Sequence, residues 1–260
     1  CSQVTMSIKN LLLWDFDGVI IDSIDECLIT SYNAYRQYQG LSNGFIYRLD
    51  DIPIDIRGEF YRNRKYVRPA GEYYIIYRAA SSGVKIDNYL KFEELLKENA
   101  DNVAKFHNNF YSVRDDFRNS FQQYWFGLHR VYAGIKTKWQ ELNKYFDFYI
   151  VSDKDFKSIS LILNYFDLPI QQEKIFSADI TLTKKMVIEH ILKDTHDASE
   201  RLFFIDDNYQ HLLDVSDTGI RLFYASWGYG EMPDKIARYI IPLELDTFDH
   251  YLIKEVFNGT

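Results

Sequence analysis

Two carboxylates spaced i, i+2 close the segment Leu11-Leu12-Leu13-Trp14-Asp15-Phe16-Asp17-Gly18, and an adjacent pair, Asp206-Asp207, closes Leu202-Phe203-Phe204-Ile205. In both places an unbroken apolar run stops at acids. In an extended chain a residue and its i+2 neighbour point the same way, so Asp15 and Asp17 can converge beyond a strand end. Converging carboxylates repel unless a cation or a shared proton relieves them, which makes metal-assisted chemistry the first reading of the pair. A turn rich in Asp is the plain alternative, since Asp-Gly marks turns. Ser152 follows a strand-like run, Phe146 to Val151, and its hydroxyl suits an anion; it would equally cap the helix that follows. Lys184 and Lys185 open a predicted helix, where a cation opposes the helix dipole. Projection toward a phosphate would explain such a lysine. The apolar face of Ile188, Ile191 and Leu192 favours Lys184, with Lys185 as the fallback.

These groups need elements to hold them. Leu11 to Trp14 have the length and composition of a strand buried on both faces. In open α/β sheets, ligands sit at the carboxyl ends of the strands. Further strands are predicted at 146–151, 174–177, 202–205 and 220–225, alternating with helices at 156–166, 184–194 and 208–216. That alternation predicts a Rossmann-like α/β fold, a mainly parallel sheet with helices on both faces. Ser23-Ile24-Asp25-Glu26 has the pattern of a capping box and predicts a helix running to Gln39. Residues 40–88, punctuated by Gly and Pro, read as less regular. From 88 to 132, apolar residues recur at helical steps. The expected organisation is a core of 1–22 and 134–260 and a mostly helical insert of 23–133, placed like a lid at the end of the first strand.

Composition sets outer bounds. A chain of 260 residues, 47% of them hydrophobic, can bury a sizeable core in one large or two modest domains. A net charge of −8 argues against a general nucleic-acid binder. Acids interrupt the apolar runs before they reach membrane-spanning length, so no membrane partner is expected. Two cysteines, Cys1 and Cys27, exclude a disulfide framework and a Cys-based zinc site, and they fit a reducing, cytoplasmic setting. The six histidines show no metal-ligand spacing and read as structural or solvated. Arg62, Arg64, Lys65 and Arg68 form a basic cluster in an acidic chain. The cluster, Arg68 above all, is nominated to meet a distal carboxylate or phosphate, with a surface patch as the alternative.

Asp15-Phe16-Asp17-Gly18-Val19, followed by Ile20-Ile21-Asp22-Ser23, resembles the first motif of the haloacid dehalogenase-like (HAD) hydrolases. Ser152 resembles their second motif, although Asp153 stands where the family often has Asn. Lys184 resembles the third, Asp206-Asp207 the fourth, and Trp227-Gly228-Tyr229-Gly230 the same phosphatase branch. The motifs appear in order over 1–23 and 134–260; the insert has the position of an α-helical cap in that superfamily. The resemblance implies Asp15 as nucleophile and Asp17 as general acid and base. It implies Ser152 and Lys184 on the phosphoryl oxygens. It also implies Mg²⁺ held by Asp15, Asp17 (through its backbone carbonyl) and Asp207, with Asp206 direct or through water. His211 stands where many relatives carry a further acid. Carboxylate, carbonyl and water donors, with no soft ligand in reach, suit Mg²⁺. The presence of Asp17 favours phosphate esters over halide displacement. The implied activity is that of a phosphoglycolate phosphatase-like, Mg²⁺-dependent phosphatase acting on a small phosphorylated metabolite through an aspartyl-phosphate. A phosphomutase, or a non-catalytic binding protein keeping the fold, are the alternatives.

Overall fold

The structure is a computed structural model describing residues 9–41, 44–178, 182–195 and 198–258; Cys1 lies outside them. The chain forms two compact units, Cys1–Ile21 with Val131–Thr260, and Asp22–Arg130. It enters through β1 (Asn10–Trp14) and β2 (Ile21–Asp22). The second unit is helical: α1 (Ile24–Tyr38), α2 (Ile54–Asn63), α3 (Tyr73–Ser82), α4 (Tyr89–Glu98), α5 (Ala100–Ser120) and α6 (Gln122–Gly127). After β3 (Arg130–Val131) come α7 (Ile135–Leu142), β4 (Phe146–Ser152), α8 (Phe156–Tyr165), β5 (Ile175–Ser177) and α9 (Lys184–Thr195). The chain closes with β6 (Leu202–Asp206), α10 (Tyr209–Asp214), β7 (Arg221–Ala225), β8 (Ile240–Leu243) and α11 (Phe248–Asn258).

In the helical unit the capping-box expectation fails. Ser23 makes no side-chain cap bond, and Asp22 Oδ1 instead accepts from the Ile24 N–H at 3.2 Å. Glu26 turns inward to the Arg114 guanidinium, which donates to its two oxygens at 3.0 and 2.8 Å. Thr30 and the Trp125 indole donate to the same carboxylate at 2.8 and 3.2 Å. A buried arginine outcompetes a backbone N–H for a carboxylate because the pair is charge-assisted. The segment read as less regular holds α2 and α3. All of Tyr73 to Tyr77 are buried, so the first half of α3 offers no polar stripe from which to read a helical period. Cys27 is a buried thiol.

The core unit is a six-stranded sheet of order β5-β4-β1-β6-β7-β8, with β2 and β3 in a separate ladder. All its pairings are parallel. Leu11 and Leu13 of β1 face Val187, Ile188 and Ile191 of α9 and Leu212 of α10 in one apolar cluster. Trp14 points to the opposite face, stacking on Trp139 of α7 at 5.6 Å and meeting Phe248 of α11 edge-on at 5.8 Å. Helices thus cover both faces of β1, which is why its sequence has no polar alternation. β8 is the strand that the sequence does not announce: Pro242 interrupts it, and a strand with proline belongs at an edge, where β8 lies. Trp14 pairs with Ile150 of β4 and Ile205 of β6. These three strands therefore end within two residues of one level, and the residues at their ends gather at the carboxyl edge of the sheet. Among the described residues, no helix is long and apolar enough to cross a membrane.

Candidate active site

Five chain segments meet at that edge. Asp15 follows β1, its N–H donating to the Ile205 carbonyl at 2.9 Å, and its side chain is buried. Lys184, the first residue of α9, reaches across to it. The ammonium lies 3.0 Å from Asp15 Oδ1 and 2.7 Å from Asp206 Oδ2. The lysine that opposes its own helix dipole is thereby paid with two carboxylates. Lys185 points away and pairs with Asp217 at the surface. Asp206 is fully engaged: its other oxygen accepts from the Asn208 N–H at 2.7 Å.

Asp207 faces a different set of donors. Its Oδ2 accepts from the backbone N–H groups of Tyr229 at 2.6 Å and Gly230 at 3.2 Å. The Trp227–Gly230 loop thus wraps the second acid of the pair. Gly18 sits against the same carboxylate with φ +85°, and a Cβ built there would overlap Asp207. Gly228 and Gly230 leave no room for a side chain either, because a Cβ on each would run into Asp207. The glycine after Asp17 is needed both for its left-handed backbone and for this approach.

Ser152, at the end of β4, is buried. It does not cap α8, because Asp155 does, accepting from the Ser158 N–H at 2.8 Å. Ser152 Oγ instead accepts from the Lys154 N–H at 3.3 Å.

Two residues at the site were given no role by the sequence reading. His211 bridges Asp206, at 3.0 Å from Nδ1, and Asp153, at 3.3 Å from Nε2. His211 is thus held by ion pairs inside the cluster rather than solvated. A ligand atom from each of Asp15, Asp206 and His211 lies within 4.8 Å of the others, so a nitrogen donor is in reach of the carboxylates after all. The signal available in the sequence was its place four residues past Asp207, on the first turn of the helix after β6. Lys154 is the other: its buried ammonium lies 3.2 Å from both oxygens of Asp17.

Arg68 belongs to the helical unit, where its guanidinium donates to the Tyr89 hydroxyl at 3.1 Å and its N–H to Glu72 at 2.8 Å. Arg62 pairs with Glu59 at the surface. Arg64 lies over the Tyr73 ring and Lys65 over Tyr66.

The electrostatics follow from burial and charge count. Burial pushes the Asp15 carboxyl up to about 7; Lys184 and His211 oppose that rise, and Asp206 and Asp207 add to it. Burial acts on Asp206 in the same direction, but Lys184 and His211 outweigh it and hold that carboxyl well below the usual range. Burial alone would lower the Lys184 ammonium, yet Asp15 and Asp206 keep it above the ordinary lysine value. For His211, burial and Lys184 lower the imidazolium, and Asp206 and Asp153 raise it further than that, leaving a net rise. Asp15, Asp17, Asp153, Asp206 and Asp207 thus stand against Lys154, Lys184 and His211, an excess of acid even with the imidazole charged. Such a cluster suits a divalent cation. Both nitrogens of His211 face carboxylates, so the donors left for the cation are hard oxygens.

No family model matches the sequence, and no curated protein is similar to it. Solved structures are similar in fold. A haloacid dehalogenase-like family hydrolase from Streptococcus pneumoniae is 15% identical, with a TM-score of 0.58 over 94% of this chain and 98% of its own. A predicted phosphoglycolate phosphatase from Haemophilus somnus 129pt is 13% identical, with a TM-score of 0.60 over 96% and 99%. Protein Tyrosine Kinase A of Mycobacterium tuberculosis is 17% identical, with a TM-score of 0.56 over 95% and 99%. The chain has the haloacid dehalogenase-like fold. Since proteins named as a phosphatase and as a kinase share it, the fold does not name the reaction, and the side chains at the sheet edge must.

Proposed function

We propose that this chain is a metal-dependent phosphatase that moves a phosphoryl group from a small phosphorylated metabolite to Asp15 and then to water. The observation that carries this reading is the Lys184 ammonium held between Asp15 and Asp206 in an acid-rich cluster at the carboxyl edge of the sheet. In the first half-reaction an oxygen of Asp15 bonds to phosphorus as the bond to the ester oxygen breaks. The proton on Asp17 passes to the departing oxygen. In the second, water attacks the same phosphorus, the bond to Asp15 breaks, and Asp17 takes the proton from the water. Ser152 and Lys184 hold phosphoryl oxygens and offset their charge. Lys184 also favours the ionised form of Asp15, which burial opposes.

Asp15, the Asp17 backbone carbonyl and Asp207 would hold the cation, with Asp206 behind them; their hard oxygens fit Mg²⁺ first. When bound, the cation neutralises and orients phosphoryl oxygens. The helical unit takes the role of a cap that selects the substrate, with Arg68 nominated for a distal anion. The test is a phosphate-release screen over sugar phosphates, nucleotides and phosphoglycolate, with and without chelator. Release that chelator and Asp15→Asn both abolish is the expected result. Folded, metal-loaded protein that releases nothing from the whole panel would sink the reading, and isomerisation dependent on a bisphosphate would replace it with a mutase.

A further inference from the structure

Lys154 has no part in the reaction as set out above, and nothing about a helix or a strand requires it. Its side chain is fully buried and meets both oxygens of Asp17 at 3.2 Å. The backbone from which it reaches is fixed on two sides: its N–H donates to Ser152 Oγ at 3.3 Å, and its carbonyl accepts from Ser177 Oγ at 2.7 Å. Asp17, by contrast, keeps some exposure on the turn after β1, where the Gly18 N–H donates to the Ile21 carbonyl at 2.9 Å. That turn sets the Asp17 backbone but leaves its first side-chain torsion a choice of staggered wells and its second a broad, roughly two-fold one. A group that gives a proton to a leaving oxygen must lie within hydrogen-bond reach of it, so the choice of well matters. A buried ammonium that meets both oxygens from one side fixes that choice.

We infer that Lys154 is a positioning residue for Asp17, holding its carboxyl group in the orientation from which it serves the leaving oxygen. This rests on the phosphatase reading of the site. The consequence is a dependence on the leaving group. An alkoxide departs poorly without a proton, whereas p-nitrophenolate departs without one. The ratio kcat/KM covers the steps up to the first irreversible one, the expulsion of the leaving group, and so isolates the step in which Asp17 gives its proton.

The experiment compares wild type, Lys154→Met, Asp17→Asn and the double variant on the most reactive alkyl phosphate of the screen and on p-nitrophenyl phosphate. Lys154→Met should lose about 100-fold in kcat/KM on the alkyl ester and under about threefold on the aryl ester. In the Asp17→Asn background the same change should cost the alkyl ester under about twofold, because the residue acts through Asp17. Equal losses on both esters, or full additivity with Asp17→Asn, would make Lys154 a plain structural ion pair and overturn the proposal. Lys154→Gln, carried through the same comparison, covers a methionine variant that does not fold. Wild type that is folded and cleaves neither ester would instead remove the phosphatase reading, and the proposal with it.

Discussion

Each unit of this molecule buries carboxylates, and it treats them in opposite ways. In the helical unit Glu26 meets Arg114 through two N–H groups and takes further hydrogen bonds from Thr30 and Trp125. That charge is closed. In the core unit Asp15 shares one lysine with Asp206 and has Asp207 as a further acidic neighbour, and its carboxyl rises to about 7. That cluster is short of positive charge. A closed pair can serve the fold alone, whereas uncompensated acid in an interior costs stability and is explained by what it would hold. The contrast separates a carboxylate whose charge is met within the fold from one whose charge is not, without appeal to either motif or name.

Substitutions can break or sharpen this contrast. Asp15→Asn should lower phosphate release by at least about 10⁴-fold. The same change removes a buried like charge, so it should raise the melting temperature of the metal-free protein. Retained turnover, or a lower melting temperature, would mean Asp15 is not the strained member. Arg114→Met should cost about 3–5 kcal/mol in a urea titration, since it leaves Glu26 buried without its cation. Its effect on calorimetric metal affinity should stay within about twofold. Lys184→Met should lower kcat by about 10²–10³-fold, a smaller loss than that of the nucleophile.

The pH dependence has a definite sign. The folded carboxyl of Asp15 is pushed up to about 7 from the ordinary 3.8, so protons compete with a cation for it below that pH. Metal affinity should therefore fall about tenfold per pH unit below neutrality and level off above it. A flat affinity from pH 8 to pH 5 would remove Asp15 from the ligand set. Lys185→Met closes the series, with a change in kcat within about twofold, because Lys185 pairs with Asp217 at the surface.

Legibility followed local chemistry. β1, β4 and β6 are readable because strands covered on both faces are written as apolar runs, and acids at their ends mark the carboxyl edge. Lys184 is readable over Lys185 because the apolar face of α9 fixes the direction in which each points. β8 is hidden by Pro242. α3 is hidden by the unbroken burial of Tyr73 to Tyr77, which masks the helical period in its first half. Ser23 and Glu26 matched a capping pattern that a distant partner overrode, since Arg114 is 88 residues away. Lys154 shares that cause: it owes its place to Asp17 on another strand end, a relation that no local spacing encodes.

The loop around Asp207 also bears on how this sequence can drift over generations. Positions 18, 228 and 230 admit no side chain without displacing an acid, while a Cβ at Gly58 or Gly127 would meet nothing within 4 Å. Mutation can wander through the latter two at little cost, but the former three are a mould that lineages must inherit intact. Descendants that break it have given up the grip on Asp207, whatever else of the fold they keep.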